Sequence, residues 1–553
     1  MKRAYSILCC TLALFVASCS LDRDPYDAID AASVFDDPGS LEAATLGNYA
    51  LMKGQYGYSG WADELHRIAE YPGDNVALSG ATTDPLFFIY NYKAITRNGR
   101  VDRFWSTSYK IAVGANLIAE QIEEGTSEVS DQLLGENLYL RGLIYFQMGN
   151  VFGRPYNQGT ENLSVPLKLS SDTEDRPDRN TVGEVYDQVI ADLTRAEQLM
   201  TINKGAPYAS KPAAQALLSR VYLYMEDNQR AIDYADLVIN SEEYALLSND
   251  RFQIMNTLTP DQNEEAIFSV ALSNVSDLPS PWMHYSMVGS MYATIEGAGW
   301  GEMYASSTYL DLLREHPADA RSAFIVPQYL YEDGNRIPAV YLVNQETLMY
   351  EFRRTTERNG TITFEEDGQI VQLQSELDDE GDMVYYFEGP SGRQEVVYDF
   401  DMEKRNGYPK FFVTKASLQQ NDRHFWSPTV SRLAEMYLNK AEAYAKLGDD
   451  EQAIENVNII RERAGIPLYE AGNLPAGMSV LDVVLQERRL ELAFEGHRRF
   501  DVYRNGRTMD RSYPGTHLIN NDPLLYIEAT HPRVIEYIPE QQILLQPSLV
   551  QNE

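Results

Sequence analysis

The stretch SRLAEMYLNKAEAYAKLGDDEQAIENVNIIRERAGIP, Ser431 to Pro467, decides the fold. Apolar residues recur at helical spacing on both sides of Leu447-Gly448-Asp449-Asp450, and Gly465 with Pro467 closes the second run. Tyr437, Ala441 and Tyr444 on the first predicted helix face Ala453, Val457 and Ile460 on the second. Small residues at a crossing let two helix axes approach while aromatics fill the flanks. That is the packing logic of a tetratricopeptide repeat, whose template is about 34 residues long.

A second stretch, AAQALLSRVYLYMEDNQRAIDYADLVI, aligns with the first when Ala231 is laid on Ala453; Ser219 then takes the place of Ala441 and Tyr222 that of Tyr444. Helices are predicted over 41–53, 104–124, 131–151, 182–241 and 431–507, with Thr181 and Glu184 spaced as a capping box. The expectation is a mainly α chain, a tetratricopeptide-like helix-pair scaffold. Two long aperiodic segments, 55–100 and 273–307, interrupt it, and loops of that length usually carry function. Over 355–400 the pattern changes to alternation around Asp367-Gly368 and Pro390-Ser391-Gly392, which predicts a β-rich insertion of two hairpins.

The N-terminus adds a location. Lys2 and Arg3 precede an uncharged apolar run from Ile7 to Ser18, too short to span a bilayer but suited to a secretory signal over 1–18. Val16-Ala17-Ser18-Cys19 resembles a bacterial lipobox, so Cys19 is the expected lipid-attachment site and 19–553 the mature domain. Cys9 and Cys10 would leave with the signal, so the mature chain has no disulfide and relies on burial. Several acyl chains, at about 0.8 kcal/mol per buried methylene, would anchor it to a membrane. Net charge is −36, and loss of Lys2 and Arg3 makes it −38, which argues against nucleic acid as a partner.

One block invites an enzymatic reading. QERRLELAFEGHRRFDVYRNGR, Gln486 to Arg507, packs acids, arginines and a histidine among apolar residues. On a helix, Val483, Leu490, Ala493 and Phe494 gather on one side and Leu481, Leu485 and Leu492 on the other, with Glu487, Glu491 and Glu495 in a stripe between. A helix sandwiched in this way buries its charges, and buried charges must be paired. A structural ion network is therefore expected, with Gly496 ending the helix. The sequence has no H-E-x-x-H, no Walker A run and no G-x-S-x-G, so no catalytic residues are assigned. No cofactor or paired-histidine metal site is expected; Asp378-Asp379-Glu380-Gly381-Asp382 could hold Ca²⁺, but it lacks EF-hand spacing and reads as a solvated turn.

Motifs in order along the chain resemble those of SusD/RagB-type outer-membrane lipoproteins. They include Trp105, Tyr109, Ile111 and Asn116; Tyr139-Leu140-Arg141-Gly142 to Phe152-Gly153-x-Pro155; Val165-Pro166-Leu167; and Arg179-Asn180-Thr181-Val182 with Asp192-Leu193-x-x-Ala196. Arg432-Leu433-Ala434-Glu435, Ala441-Glu442-Ala443, the 486–507 block, Tyr537-Ile538-Pro539 and Gln551-Asn552 complete the set, although Gln542 stands where an acid is commoner. The resemblance implies a non-enzymatic, lipid-anchored receptor facing the cell exterior. It would bind oligosaccharides, or peptides as in the RagB branch, for a SusC-like TonB-dependent transporter; a surface glycosidase and a pure tetratricopeptide adaptor are the other readings. In such a receptor, aromatic loops stack sugar faces while polar side chains bind the hydroxyls. Loop placement selects Trp61, Asp74, Asn75, Tyr90, Asn91 and Tyr92 in the first loop and Trp282, His284, Tyr285, Tyr292, Trp300 and Tyr304 in the second. Trp105 and Trp426 are assigned to the core.

Overall fold

In a computed structural model of the chain, residues 38–55, 58–80, 82–274, 277, 287–378, 383–389, 392–519 and 523–553 are described. The expected signal, Cys19, Trp282, His284, Tyr285 and most of the acidic run 378–382 lie outside them. The helical layer runs α1 (Pro38–Lys53), α2 (Trp61–Glu70), α3 (Leu86–Tyr90), α4 (Gly99–Gln121), α5 (Glu128–Phe152), α6 (Val182–Leu199), α7 (Lys211–Tyr224), α8 (Asn228–Ile239), α9 (Ser307–Arg314), α10 (Leu433–Leu447), α11 (Asp450–Ala464), α12 (Val480–Glu491) and α13 (Arg498–Arg504). From α4 to α8 each helix packs on the next in sequence; α8 then lies on α10, and α10 on α11 and α12. Among the described residues no helix is long and apolar enough to cross a membrane.

The crossing points have the expected chemistry. Ser219, Ala231, Ala441 and Ala453 are all excluded from solvent. The serine is tolerated there because its Oγ donates to the Ala231 carbonyl at 2.9 Å and accepts from Asn439 Nδ2 at 3.2 Å. Thr181 and Glu184 form the capping box that opens α6, a device contributing about 1 kcal/mol. Asn552 donates from Nδ2 to the Phe152 and Glu536 carbonyls and accepts from Arg179, tying this end of the chain to the first half of the stack.

The β-rich insertion is larger and more closed than two hairpins. With β1 (Val76–Leu78) and β2 (Met303–Ala305) elsewhere, it comprises β3 (Pro338–Asn344), β4 (Met349–Arg358), β5 (Thr361–Glu366), β6 (Gln369–Gln372), β7 (Gln374–Leu377), β8 (Met383–Gly389) and β9 (Gly392–Phe400). The antiparallel order is β6-β5-β4-β3-β9-β8-β7. In a flat sheet the outer strands would lie about 29 Å apart, at about 4.8 Å per step. Yet only Leu373 separates β6 from β7, so the sheet curls round and its edges meet in a small barrel. Val340, Phe364, Leu373, Phe387 and Val396 fill the interior, with the Phe364 and Phe387 rings edge to face at 5.1 Å. Asp367 and Gly368, at φ of +49° and +76°, make the β5–β6 turn that the Asp-Gly signal predicts.

Candidate functional site

The charge block is a buried lattice. Glu487 accepts from Arg321 at 2.5 Å and Arg461 at 2.9 Å. Glu491 accepts from Arg432 at 2.6 Å and Arg463 at 2.5 Å, and both of those arginines also reach Glu265. Glu495 receives Arg432 and Lys415. Burial alone would push the Glu495 carboxyl up, but Arg432 and Lys415 override it and hold the group down at about 2. His497 is neutral for the opposite reason: burial, then Arg220, lowers it to about 3. These groups are committed to one another.

The helix prediction across this block needs one correction. α12 stops at Glu491, short of Gly496, and Phe494 and Gly496 take φ of +64° and +82°. The turn is stable because charged side chains replace the missing helical bonds. Glu70 accepts from the Phe494 and Gly496 amides at 3.0 Å each, and Lys415 donates to the Glu491 and Ala493 carbonyls.

Most of the aromatic candidates prove to be core. Trp61 is 1% exposed, stacks on Phe104 and donates from Nε1 to Ser108 at 3.0 Å. Tyr90 bonds His517, Tyr92 donates to the Pro72 carbonyl, and Tyr292 meets His66 at 2.7 Å. Tyr304 is buried in β2 against Phe412. Asp74 lies under Arg498 and Arg489, which overcome the effect of burial and hold its carboxyl well below the usual range. Asn75 links Glu70 to Arg489, and Asn91 donates to the Phe87 carbonyl. All of these side chains are buried and bonded or packed within the frame. Trp105 is buried as expected, whereas Trp426 is only partly so.

Trp300 is different: it is 40% exposed. The pairing of β1 with β2 brings the two predicted loops together immediately beside it. Its own loop is clamped, since Ser290 O accepts from both the Trp300 and Gly301 amides and Met291 O from Glu302. Gly299 makes the loop possible: φ is +99°, and an added Cβ would lie 2.4 Å from the Ala293 carbonyl oxygen. The indole is thus carried on fixed backbone.

A third segment completes this corner. The hairpin β10 (Lys404–Arg405) and β11 (Tyr408–Pro409) turns at Asn406-Gly407, both with positive φ. Arg405 donates to the Trp300 carbonyl at 3.0 Å and to Glu302 at 2.6 Å, while Asn406 donates to the Ser79 carbonyl at 3.0 Å. An exposed indole bordered by guanidinium, amide and carboxylate can stack one sugar face and bind its hydroxyls. Loop placement does not select Arg405 and Asn406, although Asn-Gly is a hairpin signal the sequence displays. Among the described residues no group of three or more His, Cys, Asp or Glu is placed to hold a metal.

Comparison with known proteins agrees with this architecture. The profile of the SusD family matches residues 264–553, and that described as "Starch-binding associating with outer membrane" matches 58–223. SusD-like protein P38 of Formosa agariphila is 26% identical over 465 residues, covering 81% of this chain and 78% of its own. A SusD superfamily protein from Bacteroides thetaiotaomicron superposes with a TM-score of 0.71 at 25% identity, covering 93% of this chain and 99% of the other. A putative sugar binding protein from Bacteroides vulgatus gives 0.68 at 25% identity, with 93% and 98% covered. On its motifs, its helix-pair frame and these matches, the chain belongs to the SusD family.

Proposed function

We propose that this protein is a lipid-anchored receptor at the outer face of the outer membrane that binds neutral oligosaccharides and passes them to a SusC-like TonB-dependent transporter. The observation that carries the reading is the Trp300 corner: an exposed indole on a clamped loop, with Arg405, Asn406 and Glu302 around it. The family descriptions, starch binding at the outer membrane among them, support the ligand class and the location. The lipobox at Cys19 supports the anchor. The pairing of the charge block's carboxylates with buried arginines supports capture without hydrolysis.

Isothermal titration of the mature chain against neutral polysaccharides tests the reading, with a reducing-end assay run alongside. Saturable binding without release of reducing ends is expected. Hydrolysis by the pure protein, or binding confined to peptides, would overturn it. Labelled fatty acid incorporated into the wild type but not into Cys19→Ser tests the anchor, and co-purification of a large barrel protein tests the partner.

A further inference from the structure

The barrel holds a second feature with the chemistry of a sugar site. β3 and β9 are paired only from Pro338↔Phe400 to Tyr341↔Val397. Beyond that rung β3 follows β4 as far as Asn344↔Met349, while β9 follows β8 from Val396 back to Gly392. The wall therefore parts on this side, and a cleft of about 610 Å³ opens between the separated strands and α9. Tyr350, Tyr385 and Tyr398 line it, together with Tyr341, which is only 2% exposed. Tyr385 and Tyr398 are half-buried, with ring centroids 5.0 Å apart.

The charges around the cleft are already matched. Arg314 donates to Asp311 at 2.8 Å and to the Tyr341 hydroxyl at 2.6 Å, and Glu395 accepts from Arg393 at 3.0 Å. Such a cleft has little to offer an ion. It offers tyrosine faces for C–H surfaces, and phenol hydroxyls with two parted strand edges for ligand hydroxyls. From this geometry we infer that the cleft is a second binding site for a neutral oligosaccharide, distinct from the Trp300 corner. The inference rests on the glycan reading above and deepens it: two sites on one rigid chain would grip a polymer more firmly than a short oligomer.

Affinity electrophoresis through gels containing neutral polysaccharides, with starch and a β-glucan as probes, tests this on the wild type, Trp300→Ala and Tyr385→Ala/Tyr398→Ala. Each variant is expected to be retained at least about 10-fold less strongly than the wild type on the same polymer, as loss of one of two linked contacts requires. Hydrogen–deuterium exchange on the wild type guards against a merely unfolded tyrosine variant: the glycan should slow exchange at 342–345, 383–389 and 392–398. Unchanged exchange there, with Tyr385→Ala/Tyr398→Ala retained like the wild type and Trp300→Ala released, would remove the cleft and leave the proposed function intact. Protection of the same segments by extended peptides but by no glycan would reassign the cleft to peptide. A wild type retained by no glycan would take down both readings.

Discussion

Arg432 and Arg405 are each bonded to glutamate and to backbone, yet they do opposite things. Arg432 is 1% exposed and gripped by Glu265, Glu491 and Glu495 at the centre of the stack. Arg405 is 36% exposed and shares its guanidinium between Glu302 and the Trp300 carbonyl at the surface. The region around Arg432 is dense in the residue types that catalytic sites use, and its carboxylates are paired with buried cations. The corner around Arg405 has an ordinary loop composition, but its groups meet solvent. Exposure, more than charge density, separates the two regions.

The hardest blow to that contrast is Arg432→Met. It takes a shared cation from Glu265, Glu491 and Glu495, leaving Arg463 and Lys415 to hold all three, and should cost about 3–5 kcal/mol in denaturant unfolding. A loss under about 1 kcal/mol, the scale of a surface pair, would mean that the lattice is not what holds the stack together.

Acid should attack the same region next. Glu495 ionises near 2 in the fold against an ordinary 4.5, so its contribution is complete above about 4.5 and is lost as pH falls toward 2. His66, His497 and His517 stay neutral to about 3 because burial, then a neighbouring arginine, opposes their charging. The unfolded chain takes up those protons below about 6.5, which drains stability from there downward. Glu70 and Asp63, raised by burial to about 6, pull the other way as pH drops below 6, but two groups do not offset three. Unfolding midpoints should therefore decline from pH 6.5 and fall faster below 4.5; a flat profile from pH 7 to 4 would contradict the assignment.

Gly299→Ala moves the test to the recognition corner. Its positive φ and the close Ala293 oxygen predict a loss of about 1–3 kcal/mol, together with weakened glycan binding as the indole shifts. Trp300→Ala should have the smallest effect on stability, within about 0.5 kcal/mol.

The sequence displayed the frame more openly than the site, for a physical reason. Helix pairs are local: the period around Leu447-Gly448 and the small residues Ala441 and Ala453 announce the crossing within one short window. Barrel closure depends instead on β3 meeting β9 across the intervening hairpins, and nothing in 338–344 names that partner. The buried charges of 486–507 were legible because two apolar sides on one helix leave the stripe between them nowhere to go. Tyr90 and Trp300 could not be told apart in the same way. Both sit in aromatic segments with no periodicity in the sequence, yet Tyr90 ends α3 inside an apolar cluster and meets His517 from the far end of the chain. Arg405 and Asn406 reach the corner through a hairpin whose Asn-Gly turn was visible but whose contact with Ser79 was not.

Titration of Trp300→Ala with a polysaccharide that the wild type binds, alongside its thermal unfolding, tests the central claim most directly. The account predicts a midpoint within a degree or so of wild type, as a change of about 0.5 kcal/mol or less in a chain of this size implies, with affinity lost or reduced at least about 10-fold. Wild-type affinity in a folded Trp300→Ala protein would contradict it, and so would a loss of binding that only tracks unfolding.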